Sequence, residues 1–79
     1  MEKTKKFFIV ENADSRGFYL EMDYLEGSMG FTSDLGIASH YGSEYIAKVA
    51  IDKVSVRGFK MNLEVKELKI TYTVSEVAK

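Results

Sequence analysis

His40 is the only histidine in the chain, and there is no cysteine. To act as a general base, His40 would need a nucleophile and an orienting carboxylate converging on it in space, and Asp34 and Ser43 are close to it only along the sequence. The ordinary reading is a surface or helix-cap histidine. Metal chemistry has even less to work with, since one histidine and no thiolate leave only carboxylates. Glu21, Asp23 and Glu26 could offer oxygens to a hard cation, but they lack the spacing and the closing glutamate of a calcium loop, and a solvated acidic strand face accounts for them. Gly27 and Gly30 make a GxxG spacing that in KH domains clamps a nucleic-acid backbone; here Ser28 and Met29 lie between them and no basic residue follows until Lys48. There is no Gly-rich run ending in Lys-Ser or Lys-Thr and no dinucleotide fingerprint. These residues therefore predict no catalytic site, no metal and no cofactor.

What remains is recognition. Leu25, Met29 and Phe31 flank glycines in a stretch without usable periodicity, read as a loop. Apolar side chains presented on a loop are a common recognition device, and methionine adapts to varied surfaces, so these three are the candidate partner-binding residues. The alternative is that Phe31 and Leu25 plug the end of the core. The chain has five Tyr and five Phe, and Tyr19 on an outward strand phase resembles a base-stacking platform. Single-strand binders combine such rings with a basic groove, however. Lys3, Lys5 and Lys6, and then Lys53, Arg57 and Lys60, are scattered and matched by acids. A nucleic-acid-associated role through an open sheet face is thus the second reading, and a protein partner is the first.

The elements that must position these residues follow from pattern. Lys6 to Glu11 is rich in aromatic and β-branched residues and predicts a strand; Asn12 to Gly17 is a polar turn. Phe18, Leu20, Met22 and Tyr24 then alternate with Tyr19, Glu21 and Asp23, a half-buried strand with its even face in the core. Thr32 and Ser33 ahead of Asp34 predict a short helix to about Ser39. Ser43 is the cap of a longer helix to about Val56, with Gly58 where a left-handed C-cap belongs. That helix carries Ile46, Ala47, Ala50, Ile51 and Val54 on a core-facing arc, with Glu44, Lys48, Asp52 and Ser55 toward solvent. Tyr45, Val49 and Val56 widen the apolar arc beyond what one sheet face covers, so Tyr45 and Val49 are the candidate self-association patch.

In the last third the apolar phase changes: Phe59, Met61, Leu63 and Val65 are odd, whereas Leu68, Ile70, Tyr72 and Val74 are even. With no Gly, Asn or Pro at Lys66 and Glu67, one long strand bent by a β-bulge is favoured over a hairpin. The outer sheet face would then carry Tyr19, Glu21, Asp23, Lys69, Thr71 and Thr73.

At 79 residues, 46% hydrophobic and 29% charged with a formal net charge of −1, the composition is that of one packed domain spanning 1–79. The expected architecture is α+β: a β-hairpin, a short helix, a longer helix and a long bent C-terminal strand, forming a small antiparallel sheet with the helices packed on one face. Small cores of this size reach only about 3–5 kcal/mol, and a homodimer would supplement that. A cysteine-free small domain suits a reducing cytoplasm. Phe7, Phe8, Ile9 and Val10 form an apolar run too short for a signal peptide or a membrane span.

Taken together, Lys-Lys-Phe-Phe-Ile-Val at the start, Gly-Phe-Tyr-Leu after the turn, Phe31-Thr32-Ser33-Asp34-Leu35 with Ala38 and Tyr41, Ala47 in the helix, and Glu64-Val65 through Ile70-Thr71-Tyr72 resemble small uncharacterised proteins of phages and prophages of Gram-positive bacteria. The resemblance spans most of the chain. It implies a small accessory protein that binds and modulates a host protein, such as a component of a defence system, and it carries over no functional residues.

Overall fold

The computed structural model describes every residue except Tyr24, Leu25, Arg57, Phe59, Ala78 and Lys79. Among the described residues, four strands and one helix follow in the order β1 (Glu2–Asn12), β2 (Tyr19–Asp23), β3 (Ser28–Thr32), α1 (Glu44–Val56) and β4 (Leu63–Thr73). The strands form one antiparallel sheet in the order β3-β2-β1-β4, an α+β arrangement.

The longest pairing joins β1 to β4 in constant register from Glu2↔Thr73 to Asn12↔Leu63. Val74 N–H donates to Met1 O at 2.8 Å and Ala13 N–H to Asn62 O at 2.7 Å. Because ladder bonds alternate along an antiparallel pair, these two bonds fix the parity: even residues of β4 turn their N–H and C=O toward β1, and odd residues turn theirs to the outer edge. Side chains alternate independently between the two faces. Phe8, Val10, Leu63 and Val65 lie on the helix side, while Phe7, Ile9, Leu68, Ile70 and Tyr72 lie on the other.

The main core is Val10, Leu20, Tyr41, Ala47, Ala50 and Val54, with Phe8, Met22, Met29, Phe31, Ile51, Leu63 and Val65 packed against it. Val10, Leu20 and Val54 are its largest fully buried side chains, each worth about 1.5–3 kcal/mol of removed apolar surface. The helix begins where its cap is: Ser43 Oγ accepts from Ile46 N–H at 3.2 Å. Gly58 takes φ +85° just past its end, a conformation that a Cβ disfavours. α1 contacts β1 and β4.

Helix α1 follows Tyr41, which bridges Phe8, and leads to Leu63, which pairs with Asn12. It therefore covers only that half of the long pair. The remainder, Glu2 to Lys6 with Lys69 to Thr73, projects as a two-stranded ribbon. The molecule is 55 Å long with a radius of gyration of 14.9 Å, against about 12 Å for a compact domain of this length.

Several expectations change. The odd-to-even switch in β4 is not a bulge, since the register runs through Lys66 and Glu67 without interruption. The two apolar sets instead occupy opposite faces of one strand, Leu63 and Val65 beneath the helix and Leu68, Ile70 and Tyr72 on the far side. Lys69, Thr71 and Thr73 consequently lie on the helix side, beyond the helix's reach. The short helix at 34–39 is a single turn, with Asp34 O accepting from Ile37 and Ala38 N–H and Asp34 Oδ1 from Gly36 N–H.

It cannot continue, because the next residues are bound into the sheet. Ser39 N–H donates to Leu20 O at 3.0 Å, and Ser39 Oγ accepts from Met22 N–H at 2.9 Å. On the other side, Phe8 and Tyr41 exchange two backbone bonds of 2.8 Å. The described β1–β2 pairing is confined to Glu11↔Tyr19, and Ser39 to Tyr41 fills the gap where those strands part. Phe18, expected in the core, is 46% exposed and precedes β2, and Ile46, expected on the buried arc, is 49% exposed in the first turn of α1.

Candidate functional site

The residues with chemical potential are each tied to a local structural bond. His40 Nε2 donates to Leu35 O at 2.8 Å, and its ring lies 5.2 Å from that of Phe7. Ser43 caps α1, Asp34 closes its own turn and Ser39 holds β2. Among the described residues, no group of three His, Asp or Glu side chains could hold a metal ion.

The most concentrated electrostatics form a clamp. Glu11 and Glu64 are direct cross-strand partners, a like-charge pairing that would repel. Arg16, from the β1–β2 turn, donates from Nη1 to Glu11 Oε1 at 2.5 Å and to Glu64 Oε2 at 2.7 Å, and from Nη2 to Glu64 Oε1 at 3.2 Å. The Arg16 hydrogen bonds hold the Glu64 carboxyl down at about 2, with help from Lys66. They also lower Glu11, against its burial, and the two carboxylates raise Arg16. Asn62 Nδ2 donates to Asp14 Oδ1 at 2.9 Å beside this clamp. An open groove of about 500 Å³ adjoins it, lined by Ala13, Asp14, Ile51 and Met61 to Glu64. Each charge in the clamp has its partner, so its chemistry is structural: it fastens the turn to the start of β4.

The expected recognition loop is largely a strand. Met29 and Phe31 belong to β3, opposite Met22 and Leu20 respectively, and pack against the core. Both are half-buried, packing one side on the core and keeping the rest of their surface in water. Leu25 lies outside the described residues. The signal for β3 was the alternation Ser28, Met29, Gly30, Phe31, Thr32, which the two glycines obscure.

The outward face of α1 is different. Ala47, Ala50 and Val54 are the buried residues of the helix. At 3.6 residues per turn, Tyr45 and Val56 point within about 30° of the direction opposite that arc. Tyr45 is 76% and Val56 87% exposed. Val49, half-buried, lies between them on the same side, and a shallow groove of about 350 Å³ runs along Val49, Asp52, Lys53 and Val56. The helix thus has one apolar stripe in the core and, in solvent, a second apolar row of Tyr45, Val49 and Val56 into which Asp52 is set. Glu44 and Lys48 flank the second as an i,i+4 pair at 3.3 Å.

No protein-family model, curated protein or solved structure matches this chain. No described helix is long and apolar enough to cross a membrane.

Proposed function

We propose that this chain is a non-catalytic binding protein that acts stoichiometrically on a protein partner through the outward face of α1. The observation that carries this reading is the exposed apolar row of Tyr45, Val49 and Val56, with Asp52 set into it, on a helix whose first stripe is already buried. A surface helix of a globular domain normally shows one apolar stripe, and exposed aromatic and aliphatic side chains in a row are characteristic of recognition sites. Glu44, Lys48, Asp52 and Lys53 around it balance in charge. That suits an apolar groove or helix on another protein and does not suit a phosphate backbone or an anionic lipid surface. The resemblance to phage accessory proteins directs the search to a host protein in the cytoplasm, a defence component among the candidates.

The test compares the tagged chain with a Tyr45→Asp/Val56→Lys variant in a nuclease-treated Gram-positive lysate, at physiological and high salt. The expected result is one stoichiometric protein that survives both salts with the unaltered chain and is lost with the variant, whose thermal unfolding is unchanged. Retention of the same protein by the variant, or capture of none, refutes the reading.

A nucleic-acid role is the second reading, favoured by one feature: the projecting ribbon carries Lys3 and Lys5 with Tyr72 on one face and Lys6 and Lys69 on the other, and a two-stranded ribbon fits a major groove. It requires affinity for a short duplex that falls steeply with salt and is lost in Lys5→Glu/Lys69→Glu.

A further inference from the structure

We propose that the outer edge of β4 pairs antiparallel with the β4 of a second copy of this chain, about a two-fold axis at Leu68, joining the two sheets into one. β4 is an edge strand of eleven residues without proline or bulge. By the parity fixed above, Leu63, Val65, Glu67, Lys69, Thr71 and Thr73 turn their N–H and C=O groups to that edge. A long, straight edge of this kind is a template for strand addition.

The sequence of β4 selects the occupant. When the strand is laid against itself about Leu68, Glu67 of each copy falls opposite Lys69 of the other, as the hydrogen-bonded pair nearest the axis. Leu68 meets Leu68, Val65 meets Thr71, Leu63 meets Thr73, Lys66 meets Ile70 and Glu64 meets Tyr72, so the whole strand is used. Moving the axis by one residue puts Glu67 opposite Glu67 or Lys69 opposite Lys69; moving it to Lys66 sets that lysine against itself. Moving it to Ile70 avoids repulsion but shortens the overlap. Directly opposed like charges are destabilising. Charge and length of overlap together therefore favour the register about Leu68 among those this edge could form with its own sequence.

The shape agrees. In this register, Lys69 to Thr73 of one copy lies beside Leu63 to Glu67 of the other, the half of the strand that α1 covers. The projecting ribbon thereby becomes an interior part of an eight-stranded sheet, and the excess length of the single chain is accounted for.

The experiment is sedimentation equilibrium of the full chain and four variants up to millimolar concentration, with circular dichroism as a check on folding. The unaltered chain should dimerise. Glu67→Lys and Lys69→Glu should each weaken dimerisation about tenfold, since each dimer contains two such pairs. An equimolar mixture of the two should form a heterodimer, and the double variant Glu67→Lys/Lys69→Glu should recover the homodimer. Thr71→Pro removes an edge-facing N–H and leaves the bonds to β1 in place; it should be folded and monomeric. A chain that is monomeric throughout overturns the proposal. So does a dimer indifferent to the single charge changes, or one that the double exchange fails to restore.

Discussion

Replacing Phe31 by alanine distinguishes a core residue from an interface residue at a position for which the sequence allows either reading. Phe31 sits opposite the fully buried Leu20 and packs on the cluster that includes Val10 and Tyr41, while keeping part of its surface in water. Truncating a fully buried phenylalanine costs about 3–5 kcal/mol; for a half-buried ring on an edge strand, about 2 kcal/mol is expected. A domain of this length has a total stability of about 4–12 kcal/mol, so the variant should fold but be visibly weakened. At about 4–8 °C per kcal/mol for small domains, the midpoint should fall by about 8–16 °C. Thermal unfolding followed by circular dichroism reads this directly. Tyr45→Ala is the matched control, an aromatic truncation on an exposed surface that should stay within about 0.5 kcal/mol of the unaltered protein. An unchanged midpoint for Phe31→Ala, or a loss for Tyr45→Ala equal to it, would refute the assignment of β3 to the core and of the outer α1 stripe to solvent.

Two further outcomes follow from the clamp and the wedge. Glu64 is held down to about 2 from its ordinary 4.5, and Glu11 is also lowered. Between those values the unfolded chain binds more protons than the folded one, so this stabilisation is complete above about pH 5 and is lost as pH falls toward 2. Arg16→Ala should flatten that part of a plot of midpoint against pH and lower the midpoint at neutral pH, where Glu11 and Glu64 would face each other without the guanidinium; an unaltered acid slope would show that the clamp is not its source. Ser39→Ala removes the acceptor for Met22 N–H and should cost about 1–2 kcal/mol, with faster amide exchange at Met22 by NMR; unchanged exchange would refute the wedge's hold on β2.

The parts of the fold legible in the sequence are those specified by neighbours in the chain. Ser43 and Gly58 bracket α1 because a cap and a left-handed residue act on the adjacent turn, and Leu20 and Met22 declare their face through a two-residue period. The buried arc of Ala47, Ala50 and Val54 was readable in the same way, and the surplus apolar residues Tyr45 and Val49 are where that pattern placed them. The remainder depends on contacts between distant segments. The phase switch in β4 predicts a bulge only if both apolar sets share one core. Which side of a strand is covered, however, is decided by where α1 ends. Likewise, nothing local to Ser39, His40 and Tyr41 says that they lie between two strands; that follows from the parting of β1 and β2. Met29 and Phe31 were readable in principle from alternation, but glycines at 27 and 30 carried the signature of a loop.

The pairing of β1 with β4 sets the order in which the fold can be assembled. The strand nearest the start of the sequence finds its long partner only in the strand nearest the end, and its other neighbour is held partly by a wedge from the middle. During synthesis, the edge of β1 that pairs with β4 therefore leaves the ribosome unsatisfied, and it stays so until β4 has emerged. Closing a loop of that length before its contacts form makes folding slow for so small a domain.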